Sequence, residues 1–98
     1  MTGVRTMQPL MTYRELYAAT LHKWGEAAQY DQAVEECAEL IATLKHLRRG
    51  RVDESAVAEE LADVYLMLGQ LVFMLGEDRV AAAVERKIAK LLELLATS

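Results

Sequence analysis

Apolar residues along this chain recur every three to four positions, the spacing of helices that bury one face, and strand-like alternation is weak. The punctuation of that pattern marks out four helices. Thr12-Tyr13-Arg14-Glu15 reads as a capping box that opens a first helix, running to about Trp24-Gly25. A second is expected from about Glu26 to Arg49, stopped at Gly50, with Arg48, Arg49 and Arg51 around the negative end of its dipole. Asp53 is placed to cap a third, which ends at Leu75 before Gly76. Asp78 is placed to cap a fourth, running to about Ala96. The connections are short, so successive helices are expected to pack antiparallel. The expected fold is an all-α four-helix bundle in one domain, residues 1–98, with 1–9 a loose lead-in.

At about 100° per residue, the faces of each helix follow from the residue spacing. On the second helix, Tyr30, Val34, Cys37, Ile41 and Leu44 form an apolar stripe, beside a strip of Gln29, Gln32, Glu36, Glu39 and Thr43. On the third, Val57, Leu61, Val64, Leu68, Leu71 and Leu75 form one apolar face, and Ala58, Ala62, Leu66, Gly69 and Phe73 make most of the other side nonpolar. A helix apolar nearly all round is buried on both sides, and in so short a chain the second side is expected to meet another subunit. On the fourth, Val80, Val84, Ile88, Leu91 and Leu95 are expected to face inward, flanked by Lys87 and Lys90.

Two acidic pairs stand out against those faces. Glu36 and Glu39 share one face of the second helix, and Glu60 and Asp63 share one face of the third, because a three-residue spacing brings side chains together. Both pairs lie at the edge of apolar stripes, where carboxylates are costly unless a cation joins them. Brought face to face by antiparallel helices, the four form an oxygen cage for a hard divalent cation. All-oxygen ligation favours Mg²⁺, with Mn²⁺ as a substitute, over zinc or iron. The chemistry this points to is metal-assisted work on phosphates, with Lys87 and Lys90 placed to reach a polyphosphate. Trp24 either stacks on a base or closes the core.

Composition narrows the alternatives. At 53% hydrophobic, 98 residues hold more apolar side chain than one small domain covers, which again points to a subunit interface. The net charge of −4 argues against a nucleic-acid-binding surface. No apolar stretch reaches the roughly 20 residues of a membrane helix, so no membrane association is expected and the cytoplasm is the expected location. A single cysteine, Cys37, excludes an intrachain disulfide and reads as a buried structural residue. There is no P-loop, and no serine or cysteine nucleophile has a histidine in a recognisable context.

The series Trp24-Gly25, Gln29, Gln32, Glu35-Glu36-x-x-Glu39-Leu40-Ile41 and Glu59-Glu60-Leu61-Ala62-Asp63-Val64 resembles the MazG-like all-α nucleoside triphosphate pyrophosphohydrolases. That superfamily also contains dimeric dUTPases, dCTP pyrophosphatases and phosphoribosyl-ATP pyrophosphohydrolases. The likeness covers about residues 24–95 and is greatest to compact members of phages and gene cassettes. It implies a tight dimer or a dimer of dimers, and Mg²⁺-dependent cleavage of a nucleoside triphosphate to the monophosphate and pyrophosphate. It carries the metal ligands over to Glu36, Glu39, Glu60 and Asp63, and Glu39, Glu36 and Asp63 are the expected catalytic acids, one of them, with Glu39 the first choice, orienting or deprotonating water. It assigns phosphate contacts to Lys87 and Lys90, and leaves Gln29, Gln32 and Trp24 for sugar and base. The implied role is removal of unwanted nucleotides or control of a deoxynucleotide pool. The other readings are hydrolysis of phosphoribosyl-ATP and a non-enzymatic helical interaction module.

Overall fold

The computed structural model describes residues 3–97, and Met1, Thr2 and Ser98, which fall within the expected single domain and its lead-in, lie outside the described residues. The described chain is all-helical, with no strand. A 3₁₀ turn, Leu10–Tyr13, leads into α1, Arg14–Trp24; α2 is Glu26–Arg48, α3 is Glu54–Leu75 and α4 is Glu77–Ala96.

The ends of α3 fall where its punctuation places them. Asp53 is in an extended conformation and its carboxylate accepts the backbone N–H of Ala56 at 3.2 Å, satisfying one of the free donors of the first turn. At the other end Gly76 adopts φ 109°, a conformation open to glycine at little cost, and its N–H returns to the Val72 carbonyl. The first helix starts differently from the capping-box expectation. Pro9 opens the winding three residues earlier: its fixed φ of −57° suits a helical start, and its carbonyl accepts the N–H of Thr12 at 3.0 Å. Thr12 is thereby inside the 3₁₀ turn, and no side chain caps α1. Nor is Asp78 the cap of α4. Gly76 holds that position, and Asp78 lies in the first turn with Glu77, where acids complement the helix dipole.

The centre of the molecule is the α2–α3 hairpin, with α1 and the 3₁₀ turn packed on α3. The hairpin is antiparallel: Glu36 meets Glu60 and Asp63, while Gln29 and Gln70, further along in opposite senses, line one cavity. Ala33, Val57 and Val64 are buried. Tyr17 of α1 is only 2% exposed; its hydroxyl donates to the Leu10 carbonyl at 2.8 Å, and its ring packs against Tyr13, Phe73 and the bare backbone of Gly69. The lead-in 3–9 is exposed and without regular structure, although the Tyr65 hydroxyl donates to the Gln8 carbonyl.

Burial differs from the sequence expectation on α2, at Cys37 and on α4. The face that α2 turns to its own chain is Gln29, Ala33, Glu36, Leu40 and Thr43, where the small Ala33 lets the helices approach; the stripe Tyr30, Val34, Ile41 and Leu44 is exposed. Cys37, on that stripe, is exposed as well. On α4 only Val80 of the expected inward face is half-buried, while Val84, Ile88, Leu91 and Leu95 are exposed. The backbone of α4 comes close to that of α3 alone, and Arg14 of α1 ties down its start through a two-pronged ion pair with Glu77. The radius of gyration is 16.3 Å, against about 13 Å for a compact chain of this length. No helix of the described residues is long and apolar enough to cross a membrane.

Candidate metal centre and adjoining cavity

The acids of the hairpin lie on one side of it. Taking about 100° per residue, Glu36 stands about 60° from the buried Ala33 on α2, while Glu60 and Asp63 stand about 40° and 100° from the buried Val64 on α3, all rotated in the same sense. Because the helices are antiparallel, the same sense leads to the same side of the pair. One carboxylate oxygen from each of Glu36, Glu60 and Asp63 lies within 4.8 Å of the others.

The electrostatics of this cluster are those of acids without a counter-charge. Burial pushes the Glu36 carboxyl up to about 7, helped by a hydrogen bond shared with Asp63 and by the charges of Asp63, Glu39 and Glu60. Burial also raises Glu60, followed by the charges of Glu39 and Asp63. No cation contributes to either shift. One oxygen of Glu60, Oε2, is buried and has no hydrogen-bond partner among the described residues. A buried carboxylate oxygen without a partner is costly, and a divalent cation relieves it by coordination. The donor set, all carboxylate oxygen, fits Mg²⁺ or Mn²⁺.

Glu39 is exposed and stands beside Glu60 rather than within the triad. Glu36, Glu60 and Asp63 are thus brought together as the sequence predicts, with Glu39 at their margin. Lys87 and Lys90 are exposed on α4, and neither forms an ion pair with a cluster acid among the described residues.

Next to the acids, α1, α2 and α3 line a cavity of about 420 Å³ that opens to solvent. Its wall includes Trp24, Gln29 and Gln32 from the predicted set, joined by Tyr17, Thr20, Leu66, Met67 and Gln70. Gln32 connects cavity and acids: its amide nitrogen donates to Oε1 of Glu36 at 3.2 Å, one helical turn away. The Gln70 carboxamide, 3% exposed, is fixed at both ends, accepting from the Thr20 hydroxyl at 2.5 Å and donating to the Tyr17 carbonyl at 3.2 Å. Gln29 is 7% exposed, yet its carboxamide has no hydrogen-bond partner among the described residues, leaving a donor and an acceptor for an occupant. Trp24 is 57% exposed at the rim, with Lys23 Nζ 5.1 Å from its ring centroid. It does not close the core. Thr20 was invisible to sequence reasoning, having no motif around it; Gln70 gave a signal, as a lone polar residue among apolar neighbours on α3.

Comparison with protein-family models, curated proteins and solved structures finds no match for this chain.

Proposed function

We propose that this protein is a Mg²⁺-dependent nucleoside triphosphate pyrophosphohydrolase of the MazG-like kind, acting as a homodimer or homotetramer. The observation that carries this reading is the buried, unpartnered Oε2 of Glu60 in a triad of carboxylates with no cation beside it. The resemblance of the two acidic motifs and the cavity that adjoins them support it further.

Glu36, Glu60 and Asp63 would hold the ion, with Glu39 at its edge. When bound, Mg²⁺ supplies charge neutralisation on phosphate oxygens and a lowered pKa for water. The chain's own groups do the rest. Glu39, exposed to solvent beside Glu60, orients the attacking water and accepts its proton. Trp24 stacks on the base, and Gln29 meets its polar edge with an unused donor and acceptor. Gln32, held on Glu36, sets the distance between base and phosphates. Lys87 and Lys90 would meet the phosphates only if α4 is brought over the acids in the assembled particle. Water adds across one phosphoanhydride bond, giving the nucleoside monophosphate and pyrophosphate.

The experiment is pyrophosphate release from a panel of canonical and modified NTPs and dNTPs, with Mg²⁺ and with EDTA. Metal-dependent release from one or a few nucleotides is expected. Absence of release, in folded protein, would move the assignment to phosphoribosyl-ATP if Mg²⁺ still binds, and to an interaction module if it does not.

A further inference from the structure

Two polar groups in the wall of the cavity are fixed in direction. Thr20 of α1 and Gln70 of α3 both line it, and their contacts with each other and with Tyr17 decide what is left for an occupant. The Tyr17 carbonyl lies 3.2 Å from one end of the Gln70 carboxamide. A carbonyl oxygen only accepts, so that end is Nε2, and Oε1 is the end that meets the Thr20 hydroxyl. Those two oxygens are 2.5 Å apart, a separation that needs a proton between them, and Oε1 has none to give. Thr20 therefore donates its single proton to Gln70, although the Tyr17 carbonyl, a common partner for a threonine three residues on, is 3.1 Å away. Flipping the carboxamide would set two acceptors, Oε1 and the Tyr17 carbonyl, against each other in a buried place. With its proton committed, the Thr20 hydroxyl offers an occupant lone pairs alone. Gln70 has spent one N–H on Tyr17 and keeps the other.

We infer that this locked pair makes the cavity selective for bases that carry an exocyclic amino group beside an unprotonated ring nitrogen, as adenine and cytosine do, over the keto counterparts hypoxanthine and uracil. The amino group donates to Thr20 Oγ1, and the ring nitrogen accepts the free N–H of Gln70. A keto base reverses both contacts: its oxygen meets the Thr20 lone pairs, and its ring N–H meets the N–H of Gln70. Leaving such groups mismatched in a site built to bond them is what makes a pocket reject a near-isostere. No charged side chain lines the cavity among the described residues, so the choice rests on neutral hydrogen bonds. Gln29, whose carboxamide is free to turn, strengthens the binding of the base that Thr20 and Gln70 admit. The selectivity rests on the cavity being the base site proposed above, and makes no use of the acids.

The test compares dATP with dITP and dCTP with dUTP in kcat/KM with Mg²⁺. Separately, in EDTA, it compares adenosine with inosine and cytidine with uridine in quenching of Trp24, the only tryptophan of the chain. The nucleosides carry no phosphate, so quenching reads the cavity whether or not the acids support hydrolysis. The amino member of each pair is expected to be favoured about tenfold or more. T20V, which replaces the hydroxyl with a methyl group, weakens the amino member and relieves the keto member, and is expected to bring the two within about threefold, while T20S keeps the preference. Where T20V does not fold, T20A serves, since it admits a water that can donate or accept. A Thr20 that only holds α1 on α3 would lower both members alike, and an unchanged ratio in the variant would overturn the inference. Equal use of the two members, or preference for the keto member, in either assay would overturn it as well. So would a protein that neither turns over the nucleotides nor is quenched by the nucleosides. Amino-selective quenching without pyrophosphate release would uphold the selectivity and remove the proposed hydrolysis.

Discussion

The ring of Tyr17 fills the space in which a side chain on Gly69 would stand. A Cβ built there runs into the Tyr17 hydroxyl and into the ring carbons behind it. Tyr17 has nowhere to retreat, since its hydroxyl is bonded to the Leu10 carbonyl and its ring is held by Tyr13 and Phe73. Gly69→Ala is therefore expected to destabilise the protein by about 1–3 kcal/mol, the usual cost of overpacking, despite alanine's better helix propensity. Chemical denaturation measures this, and an unchanged midpoint would show that α1 is free to move.

Asp53 caps α3 through a single hydrogen bond to the Ala56 N–H. Asp53→Ala is expected to cost about 1 kcal/mol, and Asp53→Asn only a few tenths. Thermal unfolding of the two variants side by side reads the cap apart from the charge.

The start and end of α3 were legible in the sequence because Asp53 and Gly76 act on their immediate neighbours. The pairing of Glu36 with Glu60 and Asp63 was legible too, since spacing fixes a face and a short connection fixes antiparallel packing. The direction of the faces was not. Val34, Ile41, Ile88 and Leu91 carry the periodicity of buried residues, and periodicity records that a face is apolar without recording whether the rest of the chain covers it. Ala33, which the chain buries instead, is small enough to be silent in such a pattern. The same limit hid Thr20, whose place beside Gln70 depends on α1 packing across α3.

Acidity gives a third prediction. In the folded protein the Glu36 carboxyl holds its proton to about 7, whereas in the unfolded chain it releases it near 4.5. Between those values the native state binds more protons than the unfolded one, so stability contributed by protonated Glu36 is complete below the lower value and is lost as pH rises through the upper one. In EDTA the melting temperature is expected to fall from about pH 5 to about pH 8, and Glu36→Gln is expected to flatten that slope. Mg²⁺ should reverse the trend, stabilising more at the higher pH, because metal and proton compete for the same oxygens. A metal-free protein that gains stability over this range would contradict the burial of Glu36 as its cause.

Loss of a single acid separates chemistry from folding. Asp63→Asn and Glu39→Gln are expected to lower kcat at least as far as the roughly 10–100-fold that outer partners of a metal site cost. Their circular dichroism is expected to match the wild type, as both side chains are exposed. Near-wild-type turnover in either would remove that residue from the site.

At the cavity the expected signature is in binding. Base–aromatic stacking is worth about 1–3 kcal/mol, so Trp24→Ala should raise KM about tenfold or more for the preferred nucleotide. Gln29→Leu should narrow the difference between bases, since it removes the free donor and acceptor. Steady-state kinetics on two nucleotides that differ only in base distinguish these effects from a general loss of activity.

The acids and the exposed aliphatic residues Val34, Ile41, Leu61 and Leu68 stand on opposite sides of one hairpin, so the two sides can be altered separately. The two sides of α2 and α3 differ in chemistry, one carrying the carboxylates and the cavity carboxamides and the other bare aliphatic side chains. Substitutions at Gln29, Gln32 and Met67 alter the cavity wall without touching the reverse side, and substitutions at Val34, Ile41 and Leu68 alter that side without touching the cavity. A hairpin divided in this way keeps its buried line of Ala33, Val57 and Val64 intact whichever side is changed.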